Sequence, residues 1–136
     1  MIVTAHKGIP IEILFTARSE NDVRAFKRFS FDLPKGPMIY ADRAYNCYEF
    51  EDFLSEHGEI KLIAQRRKAS KRPLRAELRY LQSRMRKKIE TVFSQITSMF
   101  SKSIKAVTSK GFEIKVFNFI LPYVFQLLFK EKYSLI

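Results

Sequence analysis

The chain reads as an α/β protein, helices layered against a mixed sheet, on three observations. Short strand-like runs alternate with segments whose apolar residues recur every three or four positions. The 136 residues are 46% hydrophobic and include thirteen phenylalanines, enough for one domain with a real core. No internal repeat or low-complexity segment interrupts the pattern.

Residues 1–5 and 9–16 ("IPIEILFT") read as strands, joined through "HKG", whose glycine suits a hairpin. "SENDVRAFKRF" follows, with Ser19, Asn21 or Asp22 as the cap of a helix that carries Val23, Phe26 and Phe29. "LPKGP" breaks the chain. "MIYAD" is a short continuous apolar strand, the kind buried on both sheet faces. "YNCYEFEDFLSEHG" predicts a helix with Phe50, Phe53 and Leu54 on one face and Gly58 as its stop. "IKLIA" is the next strand. Residues 65–73, "QRRKASKRP", are the densest basic run and read as a loop with flanking arms. Beyond it, Leu78, Leu81, Met85, Ile89, Phe93, Ile96 and Phe100 predict one long amphipathic helix over about 75–100. "SKSIKAVTSKG" links it to a last apolar helix over about 112–130.

Charge and residue usage restrict the function. An excess of 25 Lys and Arg over 14 Asp and Glu gives a net charge of +11, which implies a polyanionic partner, nucleic acid or an anionic membrane surface. Cys47 stands alone, so neither a disulfide framework nor a cysteine zinc cluster can form; a small buried side chain in a reducing compartment is the plain reading. His6 and His57 lack ligand-like spacing. Four glycines are too few for a glycine-rich phosphate-cradling loop, and no G-x-G-x-x-G or G-K-[ST] pattern occurs. The strand-like "IVTA" after Met1 does not read as a signal peptide. The apolar run at 116–129 is shorter than the ~20 residues of a membrane span. Asn118 and Pro122 interrupt it, so it predicts a buried helix, bent or started at Pro122, and no membrane partner.

Two carboxylates stand out. Asp42 ends the apolar strand, and open α/β sheets bring ligands to the carboxyl ends of strands. Glu90 flanks the apolar stripe of the long helix, with Arg86 one turn earlier. Each also has an ordinary reading. A strand-ending aspartate is often a cap or turn residue. An Arg–Glu pair at i,i+4 is a helix-surface contact worth about 0.3 kcal/mol.

The motifs "YADRAYN", "RRKASKR", "RKKIETVFSQI" and "IKAVTSKGFEIKVFNFIL" occur in the order seen in bacterial insertion-sequence transposases with a DDE active site. The chain resembles, over nearly its whole length, insertion-sequence family 982 within the transposase DDE-domain group. The resemblance implies a ribonuclease-H-like mixed sheet flanked by helices. It implies Asp42 as the second acidic residue of the triad, Glu90 as the third, and Arg86 as the arginine that precedes the glutamate. It further implies Mg2+ (or Mn2+) between the carboxylates, with DNA, both element ends and target, as partner in the bacterial cytoplasm and nucleoid. Ser83, Thr97 and Ala69 depart from the tyrosine, lysine and asparagine that relatives carry there. The family's first aspartate belongs to a first strand ahead of the hairpin. Asp22 reads as a cap, and Asp32 lies ten residues before Asp42, so neither replaces it. The expectation is therefore a carboxyl-terminal part of a split, decayed or frameshifted transposase, missing its first strand, weak in metal binding and inactive alone. Such a piece would be aggregation-prone unless paired with an upstream fragment or a second copy. DNA contacts are expected from Arg66, Arg67, Lys68, Lys71 and Arg72 on a flexible arm, and from Arg86, Lys87 and Lys88. The competing reading is a non-catalytic basic nucleic-acid-binding module.

Overall fold

A computed structural model describes residues 2–4, 7–33, 36–100 and 103–133. Ala5 and His6 of the hairpin turn, Pro34 and Lys35 of the "LPKGP" break, and Ser101 and Lys102 of the linker lie outside the described residues. The element order is β1 (Ile2–Thr4), β2 (Pro10–Ile13), α1 (Asp22–Phe26), β3 (Met38–Ala41), a 3-10 turn (Arg43–Tyr45), α2 (Tyr48–Gly58), β4 (Lys61–Ala64), α3 (Ala76–Ser98) and α4 (Ser109–Tyr133). The described strands form two separate ladders: antiparallel β1–β2 and parallel β3–β4. A small parallel sheet with helices is thus present, while the single mixed sheet expected from the sequence is not seen among the described residues. The chain divides into two compact units, Thr16–Lys88 and Ile2–Phe15 with Ile89 onward.

In the first unit, Asn21 takes the cap of α1, its side chain accepting from the amides of Val23 at 3.0 Å and Arg24 at 3.3 Å. Asp22 is the first helical residue instead. Phe26 then sits at the centre of an aromatic cluster, with ring centroids 5.1 Å from Phe31, 5.6 Å from Phe50 and 4.8 Å from Tyr45. Edge-on and tilted rings at these separations add to plain area burial. Phe31 is held at φ 46°, an unfavourable region for a bulky residue, and its ring is buried. The parallel ladder pairs Ile39 with Leu62 and Ala41 with Ala64. Leu62, Ile63 and Ala64 are all buried, as are Ile39 and Ala41, whereas Met38 is exposed. Ile60 then bonds back to Leu54 O at 3.1 Å across the end of α2. Gly58 is the last helical residue, and the left-handed cap falls on Glu59 at φ 53°. Phe53, expected inward, is exposed and stacked on His57 at 4.5 Å. Glu51 takes the inward position, because 50, 51 and 54 share one face of a 3.6-residue helix.

In the second unit, β1 pairs with β2 in the register Ile2–Ile13 and Val3–Glu12, with an irregularity before Thr4. Gly8 turns the hairpin at φ 83°, and a Cβ there would stand 2.8 Å from Val92 Cγ2. Both the dihedral and the close approach require glycine. Val92 and Ile96 of α3 and Ile120 and Tyr123 of α4 form the core, with Ile13, Val116 and Leu127 packed on it. Val92 rather than the exposed Phe93 therefore lies on the buried stripe of α3. Tyr123 donates to Gln95 Oε1 at 3.1 Å.

The last helix runs as one element from Ser109 to Tyr133 with Pro122 inside it, which contains the expected span of about 112–130 and excludes a start at Pro122. It is also apolar on two faces: Ile120 and Tyr123 are buried, while Ile114, Phe117, Leu121, Phe125 and Leu128 form an exposed stripe. By length and composition Ser109–Lys130 could cross a membrane, with a mean hydropathy of 1.4 and 11% of its apolar window buried.

Truncating Phe26 to alanine should cost about 3–5 kcal/mol, read as a lower urea midpoint. Phe125→Lys, at a side chain 55% exposed, should change stability by under about 0.5 kcal/mol. It should also reduce self-association in light scattering, because it breaks the exposed apolar stripe.

Candidate metal and nucleic-acid site

The carboxyl end of β3 is anchored through one carbonyl. Ala41 O accepts from the amide of Gln65 at 3.1 Å, which continues the parallel ladder. It accepts also from Nε2 of Gln82 at 3.2 Å. Gln82 is only 5% exposed, so its amide needs such a partner. This bond ties α3 to the end of β3; the next residue, Asp42, lies outside the sheet with its side chain 50% exposed.

Asp42 combines both sequence readings. Its Oδ1 accepts from the amide of Arg43 at 2.7 Å and caps the 3-10 turn. The same oxygen lies 3.7 Å from Nη1 of Arg86. Arg86 Nη1 also donates to Gln65 Oε1 at 3.4 Å. Both members of this ion pair are half-exposed, so it is worth at most about 1 kcal/mol and its value is orientation. Burial, followed by the charges of Asp22 and Asp42, pushes the Tyr45 hydroxyl above its ordinary pKa.

Glu90 is exposed on α3, one turn beyond Arg86, and belongs to the second unit. Carboxylate oxygens are the hard donors that magnesium takes, so both residues fit in kind. Among the described residues no group of three or more His, Cys, Asp or Glu is placed to hold a metal ion.

The basic run departs from the expected flexible arm. It is a loop, as expected, but its two ends are fastened to α2. Arg66 forms two bonds to Glu51, at 2.5 and 2.6 Å, with the side chains 8% and 9% exposed. Arg66 also bonds to Asn46. Arg72 grips Asp52 at 2.7 and 2.9 Å. Both guanidinium groups lie over the Tyr48 ring, at 5.1 and 4.8 Å. Arg67, Lys68 and Lys71 remain exposed, as do Arg86 and Lys87, while Lys88 is half-buried. Glu51, Tyr48 and Gln82 were missed at the sequence level. Glu51 and Gln82 each sit at a position of the apolar face, which is a usable signal for a buried, paired polar group.

These residues all lie inside a match to the family model for the transposase DDE domain, which covers residues 1–125. The chain belongs to that family. Searches of curated proteins and of solved structures gave no match.

Removing Glu51 by Glu51→Ala should strand a buried Arg66 and cost about 3–5 kcal/mol by urea unfolding. The Arg72 hydrogen bond holds the Asp52 carboxyl below the usual aspartate range, its charge adding to the effect. A depressed carboxylate stabilises above its unfolded pKa and loses that contribution as pH falls through its folded value. The Asp52 carboxyl resonance should accordingly titrate below the ordinary aspartate value, and return towards it in Arg72→Ala.

Proposed function

We propose that the chain supplies part of the catalytic domain of a DDE transposase of the insertion-sequence 982 type, with a ribonuclease-H-like arrangement. In this reading Asp42 and Glu90 are its metal-binding carboxylates. The observation that carries the reading is the family match over residues 1–125, which spans both acids and the basic run. The half-exposed carboxylate at the carboxyl end of a buried parallel strand supports it.

Asp42 and Glu90 would hold Mg2+ or Mn2+, which when bound polarises a phosphodiester and activates an attacking water or 3′-hydroxyl. Asp42 is oriented for this by the Arg43 amide, and Arg86 beside it balances carboxylate charge and offers a contact to a DNA phosphate. Arg67, Lys68, Lys71, Lys87 and Lys88 supply further phosphate contacts. Arg66 and Arg72 are occupied by carboxylates of α2 and are left out of this set. With two carboxylates the chain binds metal weakly, and by itself it binds DNA without cutting or joining it. The non-catalytic DNA-binding reading gains from the use of Asp42 Oδ1 as a cap.

Binding of a fluorescent duplex across a salt series tests the DNA contacts. Six phosphate contacts predict a slope of log K on log salt of about −5, and a flat line would remove DNA as the partner. Mn2+ tests the acids. The amide signals around Asp42 and around Glu90 should each broaden, and each effect should vanish in Asp42→Asn or Glu90→Gln respectively. Broadening that persists in the variants would remove those residues from the metal site.

A further inference from the structure

The basic segment is built as a clasped loop. Its first anchor is Arg66, fixed by Glu51, and its last is Arg72, fixed by Asp52. Tyr48 joins them, because both guanidinium groups lie over its ring and its hydroxyl is 2.7 Å from Ser70 Oγ. Ser70 Oγ in turn accepts the Arg72 amide at 3.2 Å, and the Ser70 amide bonds to Arg67 O at 3.1 Å. All of these partners come from the loop and α2, within one unit. Between the anchors the chain turns outward and exposes Arg67, Lys68 and Lys71.

We propose that Tyr48 and Asp52 are positioning residues that hold this segment as a preformed phosphate-binding loop, with Arg67, Lys68 and Lys71 as its contacts and Arg66 and Arg72 as its anchors. The ligand rests on the DNA-binding reading above; the clasp itself rests on the geometry. A preformed loop loses less conformational freedom on binding than a flexible arm. The anchors are neutralised by carboxylates, so the segment contributes three phosphate contacts rather than five, or about −2.7 rather than −4.5 to the salt slope.

Asp52→Asn separates this from simple electrostatics. It removes a negative charge from a DNA-binding face, so charge alone predicts tighter binding. The clasp predicts weaker binding even though the released Arg72 can add up to about 0.9 to the magnitude of the salt slope. It also predicts amide hydrogen exchange at Ser70 and Arg72 about three- to tenfold faster. Tyr48→Ala should act in the same direction, and Asp52→Glu should restore much of the protection. Lys68→Ala should lower the slope by about 0.9, whereas Arg72→Ala should leave it unchanged. Unchanged exchange at Ser70 and Arg72 in Asp52→Asn, a residue exposed enough to replace without unfolding the chain, would overturn the clasp. Tighter DNA binding by Asp52→Asn, or a reduced slope in Arg72→Ala, would overturn the division into anchors and contacts. Failure of the unsubstituted chain to bind DNA would overturn the ligand, and the exchange measurement would still decide the clasp.

Discussion

The carbonyl of Ala41 is the point on which the arrangement around Asp42 depends. It receives the last ladder bond of β3–β4 from Gln65 and a side-chain bond from Gln82. A carbonyl oxygen has two lone pairs, and using both here fixes strand and helix to each other. Past that point the Arg43 amide bonds to Asp42 Oδ1 instead of continuing the ladder, and Asp42 leaves the sheet as the cap of the 3-10 segment. Its carboxylate reaches solvent for a backbone reason, before any question of chemistry arises. Arg86, one turn along α3 from Gln82, follows from the same anchor, since helix spacing places positions 82 and 86 on one face.

The basic face is organised by a different rule. Positive charge is cheap to expose and costly to bury, so an arginine that enters the interior brings its own carboxylate. Arg66 does this with Glu51, whereas Arg72 and Asp52 pair at the exposed surface. Two of the five cations in the run serve the fold, and the remaining three face outward. Counting charge along the sequence therefore overstates what a polyanion can meet. The geometry of Arg explains the choice: its planar fork fits a carboxylate with two bonds and still lies over an aromatic ring, which lysine cannot match.

Membership of the DDE transposase family gives these features a common direction, because that chemistry needs carboxylates for metal and cations for phosphate. The second unit has a different character. Its core is built from hairpin, α3 and α4 residues, and α4 keeps a second apolar stripe in the open. A helix apolar all round is ordinarily covered on every side.

Most elements were legible in the sequence because their signals are local. Alternation marked β2, continuous apolar runs marked β3 and β4, and three-to-four spacing marked α2 and α3. Asn21 could not be separated from Ser19 and Asp22 as a cap, since all three side chains can accept amide protons and only the backbone path selects one. The sequence by itself determined the α/β character, the net positive charge that suits a polyanionic partner and, through its motifs, the transposase DDE-domain family. Tertiary structure alone decided that Val92 and not Phe93 faces inward, that Phe53 gives its inward place to Glu51, and that Arg66 is held under Glu51. Those outcomes depend on which distant groups arrive beside a residue, and periodicity along a chain carries no information about a partner fifteen or forty positions away.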